Sequence, residues 1–127
     1  MLSILVVDDF PTMRRMVMAA LRGINDVRFF EAASGLEAIE RLTLTPVDLI
    51  TLDLNMPDMH GLEVLHFLRQ HQAYRGLPVV VLTTKDSEQG RTATLSAGAT
   101  AYLTKPFTPY DLRATIENLL AGQGSRA

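Results

Sequence analysis

The sequence predicts a single α/β domain in which a five-stranded parallel sheet lies between two layers of helices. The chain has 127 residues, of which 47% are hydrophobic, and this suits one domain with an ordinary buried core. Short apolar runs alternate with segments of helical periodicity along the sequence. Most of these runs are almost continuously Val, Ile and Leu, as expected for strands that are buried on both faces of a parallel sheet.

Five apolar runs are the predicted strands. They cover residues 3–7, 27–31, 48–52, 78–82 and 100–104. Helices between consecutive parallel strands connect them by right-handed crossovers, which makes a three-layer, doubly wound sheet. The predicted domain covers residues 1–121. Residues 122–127 are small and mostly polar, and we expect them to form a flexible tail.

The predicted helices differ in the strength of their amphipathic pattern. The first begins at Pro11 and ends near Gly23, and the second begins at a capping box formed by Ser34 and Glu37. The fourth, at residues 87–97, has few large apolar side chains, so we expect it to be loosely held. The last begins near Thr108. Two stripes are the predicted buried faces: Met13, Met16, Val17, Ala20 and Leu21 in the first helix, and Leu112, Ile116, Leu119 and Leu120 in the last.

Charge and hydropathy exclude several classes of function. The net charge is −2 and no run of like charges is present, so DNA binding by this chain alone is not expected. The first apolar run is short and is interrupted by Asp8 and Asp9, which argues against a signal peptide or a membrane span. We therefore expect a cytoplasmic protein. The absence of cysteine excludes disulfides, thiolate zinc sites and cysteine nucleophiles.

Charged side chains follow three predicted strands at the point where each strand ends. Asp8 and Asp9 follow the first strand, Asp53 the third and Lys105 the fifth. The carboxyl ends of parallel strands meet at one edge of the sheet, so these side chains are expected to converge. Two carboxylates about 4 Å apart repel by roughly 4 kcal/mol at an effective dielectric constant near 20, so the cluster requires a cation. Magnesium suits it best, because Mg²⁺ combines carboxylates with water and phosphoryl oxygens. The alternative is that Asp8 and Asp9 only cap the next helix.

Other residues at the strand ends have two or more interpretations. Asp53 has three interpretations: it is a nucleophile for a phosphoryl group, or a metal ligand, or only a turn residue. Asn55 follows it in a predicted loop, from which its carbonyl group can face a metal ion. The hydroxyl group of Thr83 either donates to a phosphoryl oxygen or caps the next helix. Lys105 precedes Pro106, which permits a cis peptide bond, and is otherwise a solvated loop residue.

Tyr102 and the three histidines carry weaker signals. Tyr102 lies three residues before Lys105 and is either a core residue or a ring that changes its rotamer. His60, His66 and His71 lack the spacing of metal ligands, so we expect them on the surface around a helix.

Three sequence blocks point to a known family. They are residues 5–10 (LVVDDF) with 12–15 (TMRR), residues 52–57 (LDLNMP) with Gly61, and residues 97–99 (AGA) leading to Tyr102 and to 105–107 (KPF). In this order and spacing they resemble the receiver domain of two-component response regulators, and most closely the single-domain chemotaxis regulators of the CheY type. The resemblance spans essentially the whole chain. It implies a flavodoxin-like fold with strand order 2-1-3-4-5.

The resemblance also implies a reaction. Asp53 would accept a phosphoryl group from a phosphohistidine of a sensor histidine kinase, or from a small donor such as acetyl phosphate. Asp9, Asp53 and the main-chain carbonyl group of Asn55 would ligate Mg²⁺, and Asp8 would hold a metal-bound water. Lys105 would pair with a phosphoryl oxygen. The protein would catalyse only its own phosphorylation and dephosphorylation.

The implied output is a change in a binding surface. Thr83 would move to bond the phosphoryl group, and Tyr102 would then turn inward, which alters the surface of the fourth helix, fifth strand and fifth helix. We expect a monomer that binds a downstream protein, such as a flagellar motor switch in chemotaxis. The alternative is a phosphate shuttle or sink that exchanges phosphoryl groups with a histidine phosphotransfer protein.

Two positions depart from the CheY-type pattern. Leu54 follows the acceptor in place of tryptophan, and Lys85 replaces an acid at a site that, with Asn55, modulates self-dephosphorylation. We expect Lys85 to pair with the phosphoryl group and slow the attack of water. A phosphatase of the haloacid-dehalogenase type is disfavoured, because Asn55 stands where its general acid is needed.

Overall fold

The computed structural model describes residues 1–84 and 88–124, and it confirms the predicted α/β architecture. Strands and helices alternate along the chain, and every predicted strand is present with its ends shifted by at most one residue. The strands are β1 (Leu2–Val7), β2 (Val27–Ala32), β3 (Leu49–Asp53), β4 (Val79–Thr83) and β5 (Ala101–Thr104). The helices are α1 (Pro11–Leu21), α2 (Gly35–Leu44), α3 (Gly61–Gln70), α4 (Glu88–Ser96) and α5 (Pro109–Gly124).

All five strands are parallel and lie in the order β2-β1-β3-β4-β5, as predicted. β1 and β3 are therefore neighbours at the centre of the sheet, although helices and β2 separate them in sequence. The register pairs Val7 with Leu52 and Asp53 with Leu82. The residues that follow β1, β3 and β4 consequently meet at one edge, which we call the carboxyl rim.

Two apolar clusters cover the two faces of the sheet. Side chains of α2 and α3, such as Leu42 and Leu65, pack on one face with Leu5 and Ile50. Side chains of α1 and α5 pack on the other face, and this second cluster contains Ile4, Leu49, Val17, Leu21, Leu112 and Ile116. The buried face predicted for α5 is confirmed for Leu112 and Ile116, with Leu119 and Leu120 half-buried.

The buried stripe predicted for α1 is wrong at Met16, whose side chain is 52% exposed. Val17 and Leu21 are buried and lie four residues apart, so they define the direction in which the helix faces the sheet. Met16 is rotated by about 100° from Val17 around the helix axis, which turns it towards solvent.

The last helix is longer than predicted, and α4 has few buried residues. α5 continues to Gly124, three residues beyond the predicted end of the domain at residue 121. Of residues 89–96 in α4, only Thr94 is buried. This agrees with the weak apolar pattern of α4, and its loose attachment stays a prediction. No helix within the described ranges is both long and apolar enough to cross a membrane.

Thr51 is a local exception to the apolar interior of β3. Its side chain is 1% exposed, and it lies two residues after Leu49, on the face covered by α1 and α5. Within the described part of the chain, its Oγ1 atom is the buried side-chain polar atom that has no hydrogen-bond partner. A buried hydroxyl group without a partner keeps its desolvation penalty, so this residue lowers the stability of the sheet.

Replacing Thr51 with Val is expected to raise the free energy of unfolding by about 1 kcal/mol, because Val keeps the branched shape and removes the unpaired hydroxyl group. Urea denaturation measures this change. The matched control is Thr94→Val, since Thr94 is equally buried but its Oγ1 donates to the Gly90 carbonyl oxygen at 2.8 Å. The control is expected to lose stability, and a Thr51→Val protein no more stable than wild type contradicts the prediction.

Candidate functional site

Three aspartates meet at the carboxyl rim. Each of Asp8, Asp9 and Asp53 contributes one carboxylate oxygen to a group whose members all lie within 4.8 Å of one another. Asp8 and Asp9 follow β1 and Asp53 ends β3, so the pairing of these two strands brings them together. Asp8 and Asp53 are buried, whereas Asp9 is exposed. The sequence-based expectation that these residues converge is therefore met by the geometry.

Lys105 supplies the positive charge at this cluster. Its Nζ atom lies 2.8 Å from Oδ2 of Asp8 and 3.4 Å from Oδ1 of Asp53, and its side chain is 11% exposed. The Lys105 N–H donates to the carbonyl oxygen of Thr83 at 2.7 Å, and the Lys105–Pro106 peptide bond is cis. One ammonium group thus contacts two of the three carboxylates.

The charge balance of the site is visible in the pKa of Asp53. Burial raises this pKa above its ordinary value, the positive charge of Lys105 opposes the rise, and the negative charge of Asp8 adds to it. A hydrogen bond from the Asn55 N–H also opposes it. The net rise means that the burial of Asp53 and the charge of Asp8 together outweigh Lys105 and this hydrogen bond. Independently of the pKa, the described residues place three carboxylates beside the one ammonium group of Lys105, and such a cluster favours a bound cation.

Asp8 is held at four points. Its N–H donates to the Ala32 carbonyl oxygen at 3.1 Å, and its Oδ1 accepts the Phe10 N–H at 2.9 Å. Its Oδ2 contacts Lys105, and its carbonyl oxygen accepts Nη1 of Arg14 at 2.6 Å. The sequence analysis named Arg14 only as part of the block at residues 12–15 and gave it no role, since nothing in a local pattern signals a bond from a helix side chain to a main-chain atom.

Thr83 and Asn55, two further predicted site residues, lie at or near the same rim. Thr83 is fully buried at the end of β4, in the strand next to β3, and Thr84 after it is exposed. Asn55 is exposed in the loop after β3. Lys85 lies outside the described residues, so its role in phosphoryl lifetime stays a prediction.

Tyr102 lies in β5 beside Val81, and its ring is 8% exposed within the apolar cluster under α2 and α3. The guanidinium carbon of Arg91 in α4 lies 5.9 Å from the ring centroid. The structure therefore contains the inward arrangement of Tyr102. An outward arrangement, and a change between the two on phosphorylation, stay predictions.

Two helix caps near the site were missed by the sequence analysis. His66 and His71 are exposed as expected, but His60 is half-buried and its Nδ1 accepts the Leu62 N–H at 3.1 Å, which caps α3. Asp58 caps α2 from the loop after β3, and its two carboxylate oxygens accept the N–H groups of Gly35 and Leu36 at 3.2 and 3.1 Å. The second cap joins residues that are distant in sequence, so no local signal reveals it.

A comparison with known families assigns this arrangement. Residues 4–117 match the response regulator receiver domain, and this range contains the three aspartates, Thr83 and Lys105. The chain belongs to this family. As a receiver domain it is a component of two-component signalling, in which such domains interact with histidine kinases and downstream targets.

The chain is similar both to proteins of about its own length and to part of a longer regulator. A chemotaxis protein CheY homolog of Campylobacter jejuni is 37% identical over 125 residues, which are 98% of this chain and 95% of that protein. The probable transcriptional regulatory protein TcrX of Mycobacterium tuberculosis is 40% identical over 122 residues, which are 96% of this chain and 51% of that protein. The structure of chemotaxis protein CheY4 of Vibrio cholerae has a TM-score of 0.85 at 34% identity, covering 93% of this chain and 98% of the other.

Proposed function

We propose that this receiver domain accepts a phosphoryl group on Asp53 from a sensor histidine kinase in a magnesium-dependent reaction, and that the phosphorylated form signals by binding a partner. One observation carries the proposal. The buried carboxylate of Asp53 lies 3.4 Å from the ammonium group of Lys105, and it belongs with Asp8 and Asp9 to a group of carboxylate oxygens within 4.8 Å of one another. The proposed acceptor therefore has a cationic side chain beside it and is part of a candidate metal site.

The proposed step is a direct displacement at phosphorus. An oxygen of Asp53 forms the new P–O bond while the P–N bond of phosphohistidine breaks, and the imidazole nitrogen keeps the electron pair. Lys105 is placed to pair with a phosphoryl oxygen, because its Nζ already lies 3.4 Å from Oδ1 of Asp53. The hydroxyl group of Thr83, at the end of the neighbouring strand, donates to another phosphoryl oxygen. With acetyl phosphate as donor, acetate leaves instead.

The donor set at the rim suits a magnesium ion, because Mg²⁺ prefers oxygen ligands and the described residues bring three carboxylates together. Asp9, Asp53 and the main-chain carbonyl group of Asn55 would hold the ion, and Asp8 would hold one of its waters. Bound Mg²⁺ supplies positive charge that neutralises the incoming phosphoryl group. Lys105 and the Asn55 N–H, which both contact the Asp53 carboxylate, orient the acceptor.

The output that we propose is binding of a downstream protein in chemotaxis. We propose that the protein does this in the cytoplasm and as a monomer. Two of the similar proteins named above are chemotaxis proteins of nearly the same length, which supports this output. A shuttle or sink between histidine-containing proteins is the alternative. Selective binding of the phosphorylated form to a motor-switch peptide favours chemotaxis, whereas rapid transfer to a histidine phosphotransfer domain favours the relay.

Intact mass spectrometry after incubation with acetyl phosphate tests the reaction. In Mg²⁺ we expect the mass of one added phosphoryl group, and in excess EDTA we expect the mass of the unmodified protein, because the carboxylate cluster then repels the incoming phosphate. Reduction with borohydride followed by peptide mapping locates the modified residue. Phosphorylation that is equally fast without a divalent cation, or that lies elsewhere than Asp53, contradicts the proposal.

A further inference from the structure

Arg14 connects helix α1 to strand β2 and to Asp8, the residue that follows β1. Its Nη1 donates to the carbonyl oxygen of Asp8 at 2.6 Å, and its Nε donates to Oε1 of Glu31 in β2 at 2.9 Å. The Arg14 side chain is only 14% exposed, whereas that of Glu31 is 47% exposed. The guanidinium group is therefore held between a main-chain acceptor at the site and a carboxylate beside it.

The carbonyl group that Arg14 holds belongs to the peptide that joins Asp8 to Asp9. Because this peptide unit is rigid and joins the two residues, its orientation is one of the constraints on the directions in which both carboxylates leave the backbone. Asp8 has other contacts that fix it, namely those of its N–H and its two carboxylate oxygens. Asp9 is exposed, so its direction depends mainly on the backbone at this peptide. The contact of Arg14 thus acts on both acids together.

Glu31 gives the guanidinium group a fixed plane. It lies opposite Val6 in the β1–β2 ladder, one residue before Ala32, whose carbonyl oxygen accepts the Asp8 N–H. The strand pairing therefore fixes the backbones that carry the two acceptors relative to each other. Arginine reaches two acceptors in different directions because its N–H groups project from one rigid plane, which lysine cannot reproduce.

We propose that Arg14, fixed by Glu31, is a positioning residue that sets the Asp8–Asp9 peptide for binding of a divalent cation. This inference rests on the proposed function, since it concerns the same cluster of carboxylates. Charge alone has the opposite effect. A cation near the acidic cluster repels Mg²⁺, so removing Arg14 would tighten binding if only its charge mattered. The sign of the change in Mg²⁺ affinity therefore separates positioning from electrostatic repulsion.

Isothermal titration calorimetry with MgCl₂ on the full chain tests the proposal. We expect the Arg14→Met protein to bind Mg²⁺ about tenfold more weakly than wild type, the range found when contacts that orient a metal ligand are removed. Arg14→Lys keeps the charge and is also expected to bind more weakly. The matched control is Arg15→Met, because Arg15 is exposed on the same helix and, among the described residues, its side chain bonds to Thr12 at 3.3 Å and to no residue of the carboxylate cluster. This control is expected to bind Mg²⁺ as tightly as wild type or slightly more tightly.

A second variant tests the part played by Glu31. Glu31→Ala is expected to weaken Mg²⁺ binding, and the double variant with Arg14→Met is expected to be no weaker than Arg14→Met alone, because both changes remove one positioning unit. Urea denaturation in EDTA checks that all variants are folded at the temperature of the titration. If Arg14 were purely structural, its replacement would change the stability of the protein but leave the affinity for Mg²⁺ unchanged.

The outcomes distinguish this inference from the proposed function. Arg14→Met binding Mg²⁺ as tightly as wild type, or more tightly, overturns the positioning role while leaving the site intact. Independent, additive effects of Arg14→Met and Glu31→Ala overturn the assignment of Glu31. Wild-type protein that binds no Mg²⁺ in the millimolar range, and is not phosphorylated, rejects the proposed function itself.

Discussion

Replacement of Asp53 with Asn is expected to abolish phosphorylation by acetyl phosphate in Mg²⁺. A carboxamide has no anionic oxygen to attack phosphorus, so the intact mass should stay that of the unmodified protein. The matched control is Asp48→Asn, the same chemical change at a residue just before β3. Asp48 accepts the Ser3 N–H at 2.7 Å and lies outside the carboxylate cluster. Its variant should be phosphorylated like wild type, and an Asp53→Asn protein that still gains one phosphoryl group contradicts the assignment.

The same substitution is expected to stabilise the protein in EDTA by about 1 kcal/mol, or about 4 °C in melting temperature. Asp53 is buried beside Asp8, and its pKa is raised, so its negative charge is unfavourable in the folded state. The gain should be complete above the raised pKa and should disappear as the pH falls towards the unfolded value of 3.8, since wild type then becomes protonated. Differential scanning calorimetry of both proteins between pH 7.5 and pH 4 measures this difference. A melting temperature that falls at pH 7.5 would show that burial of the charge is not the dominant effect.

Replacement of Gly61 with Ala is expected to destabilise the protein by about 3 kcal/mol and to impair phosphorylation. A Cβ atom at residue 61 would lie 2.5 Å from the Asp53 carbonyl oxygen and 2.6 Å from the Leu54 Cα atom. Both are backbone atoms, which cannot move aside as a flexible side chain would. The Gly61 N–H also donates to the Leu54 carbonyl oxygen at 2.9 Å, so α3 begins directly against the end of β3. Displacement of either segment moves Asp53, the proposed acceptor.

Gly76→Ala is the matched control for Gly61→Ala, because a Cβ atom at Gly76 meets nothing within 4 Å. Its free energy of unfolding should stay within about 0.5 kcal/mol of wild type. Urea denaturation gives the stability of both variants, and intact mass after acetyl phosphate treatment gives their phosphorylation. Equal unfolding midpoints for the two alanine variants would show that the backbone at Asp53 and Leu54 relaxes without loss.

The carboxylate cluster was predictable because its geometry follows from topology. Asp8, Asp53 and Lys105 each come directly after an apolar run, and parallel strands place such residues on one rim whatever the details of packing. The strand order itself came only from the family resemblance. The apolar pattern located all five strands. It is almost continuous in β1, β3 and β4, which are buried along nearly their whole length, and it is weaker in the edge strands β2 and β5.

The parts that were not predictable depend on directions of side chains rather than on order along the chain. Arg14 and Met16 lie two residues apart in α1, yet one holds the site and the other faces solvent. Deciding between them requires the rotation of α1 about its axis, which is set by its packing on the sheet. The α2 cap by Asp58 and the unpaired Thr51 likewise arise from contacts between segments that are distant in sequence.

The contact between Lys105 and Asp8 joins residues that are 97 positions apart. During synthesis on the ribosome, the acidic residues emerge long before the lysine that neutralises them. A nascent chain that has exposed only its first three strands contains Asp8, Asp9 and Asp53 but lacks Lys105. If Asp53 is the phosphoryl acceptor proposed above, an unfinished chain lacks the ammonium group that this reaction uses, and the site is completed only when β5 pairs with β4 late in synthesis.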